Sequence, residues 1–141
     1  MGGAEPAAVI AAALVEAGVE AELFSPHAGS PSLRDSAALA AALVEVERRV
    51  MGTPPDCVIA VGAGDVPIAA ALVASKLAIP LVASPPKSET LGEVDLAEAR
   101  ILTQLADTVV EQPGGDRTPG HVAREIADWT PRSAASASSR P

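Results

Sequence analysis

A glycine-rich turn follows a short, continuously apolar run of the sequence. Residues 57–61 are continuously apolar, which is typical of a strand buried on both faces, and Gly62, Gly64 and Asp65 come directly after them. Glycines let a ligand approach the backbone, and the N-terminus of a following helix offers N–H groups to an anion. Gly62 and Gly64 are therefore candidate ligand-binding residues. The alternative is a plain strand-to-helix turn with Asp65 as N-cap, since the third glycine of a dinucleotide fingerprint is absent.

Three other loops carry residues that could meet a ligand. His27 follows a predicted strand, at the edge where open α/β sheets bind ligands, and a histidine there can act as acid, base or donor. Lys87 follows another predicted strand and could meet a diphosphate. Gly3 precedes the first predicted helix and could admit an anion, although Glu5 would compete with it. The alternative for each is an ordinary surface loop, and we interpret His121 as a surface residue.

Other kinds of site find no support in the sequence. It has no Cys/His spacing for a metal, no Ser-His-Asp set and no Walker loop. The single cysteine, Cys57, lies in the apolar run and is interpreted as an unreactive core residue. We therefore expect neither a metal nor a cofactor.

Helical and strand-like segments alternate along the chain. This order predicts an α/β, three-layer Rossmann-like domain with a mainly parallel sheet and helices on both faces. The chain opens on a glycine loop and a helix, so the sheet lacks the usual central first strand; another strand, a partner chain or an earlier start could supply it. The predicted helices are 5–17, 32–51, 66–77, 96–105 and 120–129, and the predicted strands are 19–24, 57–61, 79–83 and 106–111.

Length and composition predict one domain and one tail. The chain has 141 residues, of which 48% are hydrophobic but only 1% aromatic, so the core must be built from Ala, Val, Leu and Ile. We assign residues 1–130 to a single domain. Residues 131–141 are Ser, Ala, Arg and Pro, a composition that predicts a disordered tail.

The formal net charge of −8 narrows the range of partners. An acidic chain repels phosphate backbones and anionic membranes, so we expect neither nucleic acid nor membrane as a partner. The negative net charge does not exclude a nucleotide ligand, because backbone amides can hold phosphates. One cysteine, no signal-peptide pattern and no bilayer-length apolar stretch favour the cytoplasm.

The order of segments resembles the N-terminal half of the non-hydrolysing UDP-N-acetylglucosamine 2-epimerases, which have the GT-B architecture. The resemblance runs from residue 3 to about residue 126 in order. It implies a nucleotide-sugar ligand, with His27 and Asp65 in catalytic positions and Arg100 in a ligand-binding one. The matching stretches are 55–62, 69–72, 79–83 and 100–107, with weaker echoes at 3–7 and 24–27.

The departures from this family fall on its chemistry. Glu5 replaces a loop arginine, the family's His-Gly-Asp turn becomes Val61-Gly62-Ala63, and Asp65 can replace the aspartate only by a shift. Residues 84–86, Ser-Pro-Pro, lack the glutamate that the family has after the second strand. Gln104 is the single residue found where the family has an Asp-His pair. Epimerisation by loss and return of UDP needs positioned acid/base groups and a second domain to clamp the UDP.

Three hypotheses follow. The first is a UDP-sugar-binding domain that is catalytically degenerate on its own, a pseudoenzyme of an isomerase family. The second is one half of a split UDP-sugar epimerase or glycosyltransferase, with the C-terminal domain on a separate chain. The third is a ligand-free interaction domain that forms homo-oligomers through the missing-strand edge.

Overall fold

The computed structural model describes residues 6–23, 36–86 and 92–138, without the side chains of residues 94, 95 and 130–138. Helices and strands alternate through the second and third of these segments, as the sequence pattern predicts. The helices are α1 Pro6–Glu16, α2 Ser36–Gly52, α3 Asp65–Lys76, α4 Glu93–Leu105 and α5 Pro119–Ser138, and the strands are β1 Val58–Val61, β2 Leu81–Ser84 and β3 Thr108–Val109.

The three strands form one parallel sheet in the order β1-β2-β3. Val58 is in register with Leu81 and Val61 with Ser84, while Ala83 is in register with Val109. Helices α3 and α4 make the crossovers between successive strands, as parallel neighbours require. The predicted α/β, Rossmann-like fold class is therefore confirmed.

Side chains alternate between the two faces of the sheet, and each face has its own helices. Val82 and Val110 point to one face and pack with Ile10 and Leu14 of α1 and with α5. On the other face, Leu81 and Ala83 of β2 pack with α3 and α4. Helix α2 packs beside α3 through small and branched aliphatic residues. The core is aliphatic, as the composition predicts, and all four residues of β2 are buried.

The structure of residues 19–23 differs from the predicted strand. They alternate in polarity, and Val19 and Ala21 pack against the same cluster as Ile59 and Val61, but they belong to no strand. The predicted strand 19–24 is therefore wrong over its described part. Alternation gives this segment a buried side, but a strand also needs a neighbour to share a hydrogen-bond ladder, and no described strand lies alongside it. Phe24 lies outside the described residues.

The remaining differences concern boundaries. The predicted strand 106–111 shortens to Thr108–Val109, and α4 begins at Glu93, where Gly92 is the N-cap. Helix α5 continues to Ser138, into the segment for which the composition predicts disorder; the boundary at residue 130 stays a prediction. Within the described ranges, no helix has both the length and the apolar character needed to span a membrane.

Candidate functional site at the carboxyl edge of the sheet

The turn after β1 lies at the carboxyl edge of the sheet. The N–H of Gly62 donates to the carbonyl oxygen of Ser84 at 2.9 Å and continues the ladder between β1 and β2 for one residue. Gly62 has φ +95° and Gly64 has φ +122°, conformations that L side chains rarely adopt. A Cβ built on either glycine would meet no described atom within 4 Å. The turn therefore needs its glycines for backbone conformation and offers open space beside them.

Helix α3 starts at this turn without a side-chain cap. Gly64 is the N-cap residue, and none of the side chains that the structure describes caps the first turn. Asp65 is the first helical residue, so the predicted N-cap role of Asp65 is wrong; its half-buried carboxylate lies in the first turn, beside the positive end of the helix dipole. The uncapped N–H groups can serve an anion, but Asp65 already supplies negative charge there.

Ser84 ends β2 beside this turn and was not singled out from the sequence. Its side chain is fully buried, and its Oγ has no hydrogen-bond partner among the described residues. Alternation places the hydroxyl on the same face as Val82, the side of α1 and α5. The Ser84 carbonyl also accepts from Gln112 Nε2 at 3.0 Å, which joins the segment after β3 to the same edge. A serine at the carboxyl end of an otherwise apolar strand is the signal that could have identified it.

The predicted site residues fall into three groups. Gly62, Gly64 and Asp65 are brought together at the carboxyl edge. Arg100 is exposed on α4, so its contact with a ligand stays a prediction. Gly3, His27 and Lys87 lie outside the described residues, and their roles also stay predictions. In the described part of the chain, no group of three His, Cys, Asp or Glu residues could hold a metal ion.

No family model and no curated protein sequence matches this chain. Solved structures do match it. The UDP-GlcNAc 2-epimerase of Methanocaldococcus jannaschii superposes with a TM-score of 0.60 at 17% identity, over 89% of this chain and 40% of that one. The S. aureus MnaA–UDP co-structure superposes with a TM-score of 0.55 at 14% identity, over 94% of this chain and 40% of that one. The chain therefore has a Rossmann-like fold similar to part of a UDP-GlcNAc 2-epimerase, and it spans about 40% of the length of these proteins.

Proposed function

We propose that this chain is a nucleotide-sugar-binding domain of the UDP-GlcNAc 2-epimerase type and that it is catalytically degenerate on its own. The observation that carries the proposal is the fold match along 89% of the chain to a UDP-GlcNAc 2-epimerase. A further match is to a protein solved with UDP. UDP-N-acetylglucosamine is accordingly the first ligand to test.

The geometry of the carboxyl edge supports a ligand there. Parallel α/β sheets bind ligands beyond the carboxyl ends of their strands. At this edge, the open Gly62–Gly64 turn, the uncapped start of α3 and the buried Ser84 hydroxyl lie on adjacent strands. These groups are backbone and hydroxyl donors, which suit phosphate and sugar oxygens. Asp65 and the net charge of −8 oppose a diphosphate, so we expect weak binding.

The proposed loss of catalysis rests on side-chain chemistry. Proton transfer at a sugar carbon needs acid and base groups held against the ligand. In the stretches that resemble the family, Ala63 is found where the family has an aspartate, and residues 84–86 are Ser-Pro-Pro where it has a glutamate, so neither place keeps a carboxylate that could transfer a proton. Asp65 is the remaining carboxylate of the turn, and it lies in the first turn of α3. We therefore expect binding without turnover by the isolated chain.

An amide NMR titration with UDP and with UDP-N-acetylglucosamine tests this function. We expect the amide signals of Gly62, Gly64 and Asp65 to move in a dispersed spectrum. Ala63→Glu places a carboxylate in the turn between the two glycines and should abolish the shifts, whereas the neutral Ala63→Gln should keep them. A dispersed wild-type spectrum whose amide signals do not move with either ligand would contradict the proposal. The ligand-free interaction domain would then be the better hypothesis.

A second candidate function is one half of a two-chain UDP-sugar epimerase or glycosyltransferase. It is favoured by the extent of the match, since this chain corresponds to 40% of the M. jannaschii protein. The test is to mix the chain with the product of a neighbouring reading frame that encodes a UDP-binding half. Conversion of UDP-N-acetylglucosamine only in the mixture would support this candidate, and no conversion in a mixture that forms a stable complex would reject it.

A further inference from the structure

The carbonyl oxygen of Ser84 connects the ends of the three strands. It accepts from the N–H of Gly62 at 2.9 Å and from Gln112 Nε2 at 3.0 Å. Before Gln112, the N–H of Val110 donates to the carbonyl of Ala83 at 2.9 Å, and the Gln112 side chain extends this contact by one residue of β2. Because Gly62 and Gln112 bond the same oxygen atom, Gln112 is the immediate neighbour of the glycine turn.

The loop that carries Gln112 is held by hydrogen bonds of its own. Gly114 and Arg117 exchange two backbone hydrogen bonds, at 2.8 and 2.9 Å. Arg117 Nε donates to the carbonyl of Glu111 at 3.0 Å, and the same guanidinium pairs with Glu125 of α5. The chain on both sides of Gln112 is therefore fixed to the domain. A side chain held in this way loses little conformational freedom when it binds a ligand.

The bond to Ser84 defines the orientation of the Gln112 amide. A carbonyl oxygen can only accept, so the amide nitrogen must face Ser84 and the amide oxygen, Oε1, must face elsewhere. Among the described residues, none donates a hydrogen bond to this oxygen. Gln112 is half-buried, so part of its side chain is open to solvent. It therefore offers an acceptor of fixed orientation beside the candidate site.

An acceptor oxygen selects among the groups of a nucleotide sugar. Phosphate oxygens are themselves acceptors, so the groups that can donate to Gln112 Oε1 are neutral hydroxyls and amide N–H groups. The nearby charges also favour a neutral group, because Asp65 is acidic and Arg117 is already paired with Glu125. In a nucleotide sugar, the sugar is joined directly to a phosphate, whereas a ribose separates the base from the phosphates. When a phosphate meets the Gly62–Gly64 turn, the sugar is thus the neighbouring donor.

We propose that Gln112 is a specificity-determining residue of the candidate site, whose Oε1 accepts a hydrogen bond from an O–H or N–H of the sugar. The role of Gln112 rests on the proposed nucleotide-sugar function, and it assigns the sugar, not the base, to the edge between β2 and β3. The contact gives the site a preference for the sugar nucleotide over the free nucleotide. One hydrogen bond between uncharged groups supplies a preference of about five- to tenfold.

An amide NMR titration of the wild-type chain and two variants tests this role. Gln112→Met removes both donor and acceptor, whereas Gln112→Lys keeps a donor for the Ser84 carbonyl and lacks an acceptor. We expect the wild-type chain to bind UDP-N-acetylglucosamine about five- to tenfold more tightly than UDP, and each variant to bind the two ligands within about twofold of each other. Glu111→Met is the control, since it introduces the same side chain at the neighbouring exposed position and should keep the wild-type preference.

Titration with UDP-glucose identifies the donor on the sugar, because this ligand has a hydroxyl in place of the acetamido group. If Gln112→Met weakens the binding of both sugar nucleotides, a hydroxyl donates to Gln112. If it weakens only the binding of UDP-N-acetylglucosamine, the acetamido N–H donates. Both results support the proposal.

Two outcomes overturn the role of Gln112 and leave the proposed function intact. One is a wild-type chain that binds UDP and UDP-N-acetylglucosamine equally. The other is a preference that Gln112→Met keeps or that Gln112→Lys restores, since the bond to Ser84 alone would then explain the effect. If Gln112→Met does not fold, Gln112→Lys decides at high salt, which screens the lysine charge. Wild-type amide signals that move with none of the ligands overturn the role of Gln112 and the proposed function together.

Discussion

Asp107 and Leu81 exchange two hydrogen bonds at the amino end of the sheet. The N–H of Leu81 donates to Asp107 Oδ2 at 2.8 Å, and the N–H of Asp107 donates to the carbonyl of Leu81 at 2.9 Å. Ala106 is the C-cap of α4, so Asp107 is the first residue after that helix. The carboxylate of Asp107 accepts the hydrogen bond from Leu81 that a backbone carbonyl would accept if β3 were longer. One side chain therefore fixes the end of α4 to the start of β2.

We expect Asp107→Ala to lower the free energy of unfolding by about 1–2 kcal/mol, because the Leu81 N–H loses a charged acceptor while its surroundings stay the same. Asp107→Asn keeps an acceptor oxygen and should cost less. Urea unfolding followed by circular dichroism measures both. Glu47→Ala, which removes an exposed carboxylate from α2, is the control and should change stability by less than about 0.5 kcal/mol. Equal effects of Asp107→Ala and Glu47→Ala would contradict the role of this contact.

The turn of the candidate site makes a prediction about backbone strain. Gly64→Ala places a Cβ in open space but at φ +122°, so we expect a loss of about 1–2 kcal/mol from conformation alone. Gly52→Ala is the matched control, since its Cβ also meets nothing within 4 Å and its φ is ordinary. At the end of α2 the alanine should be neutral or stabilising by up to about 1 kcal/mol. A neutral Gly64→Ala in thermal unfolding would argue against the positive-φ conformation.

The sequence predicted most of the sheet because its strands carry a strong local signal. Residues 57–61 are a short apolar run between Asp56 and Gly62, residues 79–83 are another that contains Pro80 and ends before Ser84, and both form strands close to the predicted bounds. The turn between β1 and α3 was also predicted, because two closely spaced glycines after an apolar run indicate a turn whose backbone conformation other residues disfavour. Gly62, Gly64 and Asp65 lie together at the carboxyl edge, and their contact with a ligand stays a prediction.

Two of the three misses depended on parts of the chain that are distant in sequence. Residues 19–23 alternate like a strand, but pairing depends on a neighbour that local pattern cannot supply. The N-cap assignment of Asp65 was wrong by one residue, a usual uncertainty where a glycine can also start the helix. Ser84 has a sequence signal, a serine at the end of an apolar strand, but its complete burial depends on the packing of both sheet faces and could not be predicted.

The end of α3 offers a stabilising substitution. Ala78 has φ +58°, a left-handed conformation, and the N–H of Ile79 donates to the carbonyl of Ala74 at 2.8 Å. The end of α1 has the same arrangement with Gly18 at φ +89°, where the N–H of Val19 donates to the carbonyl of Leu14. Glycine is the preferred residue at this position after a helix. The two helix ends therefore differ in how well their residue suits the same conformation.

We expect Ala78→Gly to raise the free energy of unfolding by about 0.5–1 kcal/mol, because relief of the left-handed strain exceeds the added entropy of the unfolded chain. The reciprocal change, Gly18→Ala, should destabilise by a similar amount. Thermal unfolding of both variants measures the effect. A destabilising Ala78→Gly would mean that the strain at this residue is smaller than the entropy cost of glycine.

Ser84 connects stability with ligand binding. Its buried Oγ has no partner among the described residues, and an unsatisfied buried hydroxyl costs about 1–3 kcal/mol. Ser84→Ala should therefore leave the free energy of unfolding unchanged or raise it by about 1 kcal/mol. If the hydroxyl donates to the ligand, the same variant should weaken UDP-N-acetylglucosamine binding about five- to tenfold, the value of one hydrogen bond. Ser75→Ala, at an exposed position of α3, should change neither quantity.

Urea unfolding measures the stability of the Ser84→Ala variant and the NMR titration measures its affinity, and together they distinguish two ways in which this prediction could fail. Destabilisation by more than about 1 kcal/mol would mean that the hydroxyl is bonded within the folded domain, whereas unchanged stability with unchanged affinity would place the ligand away from β2.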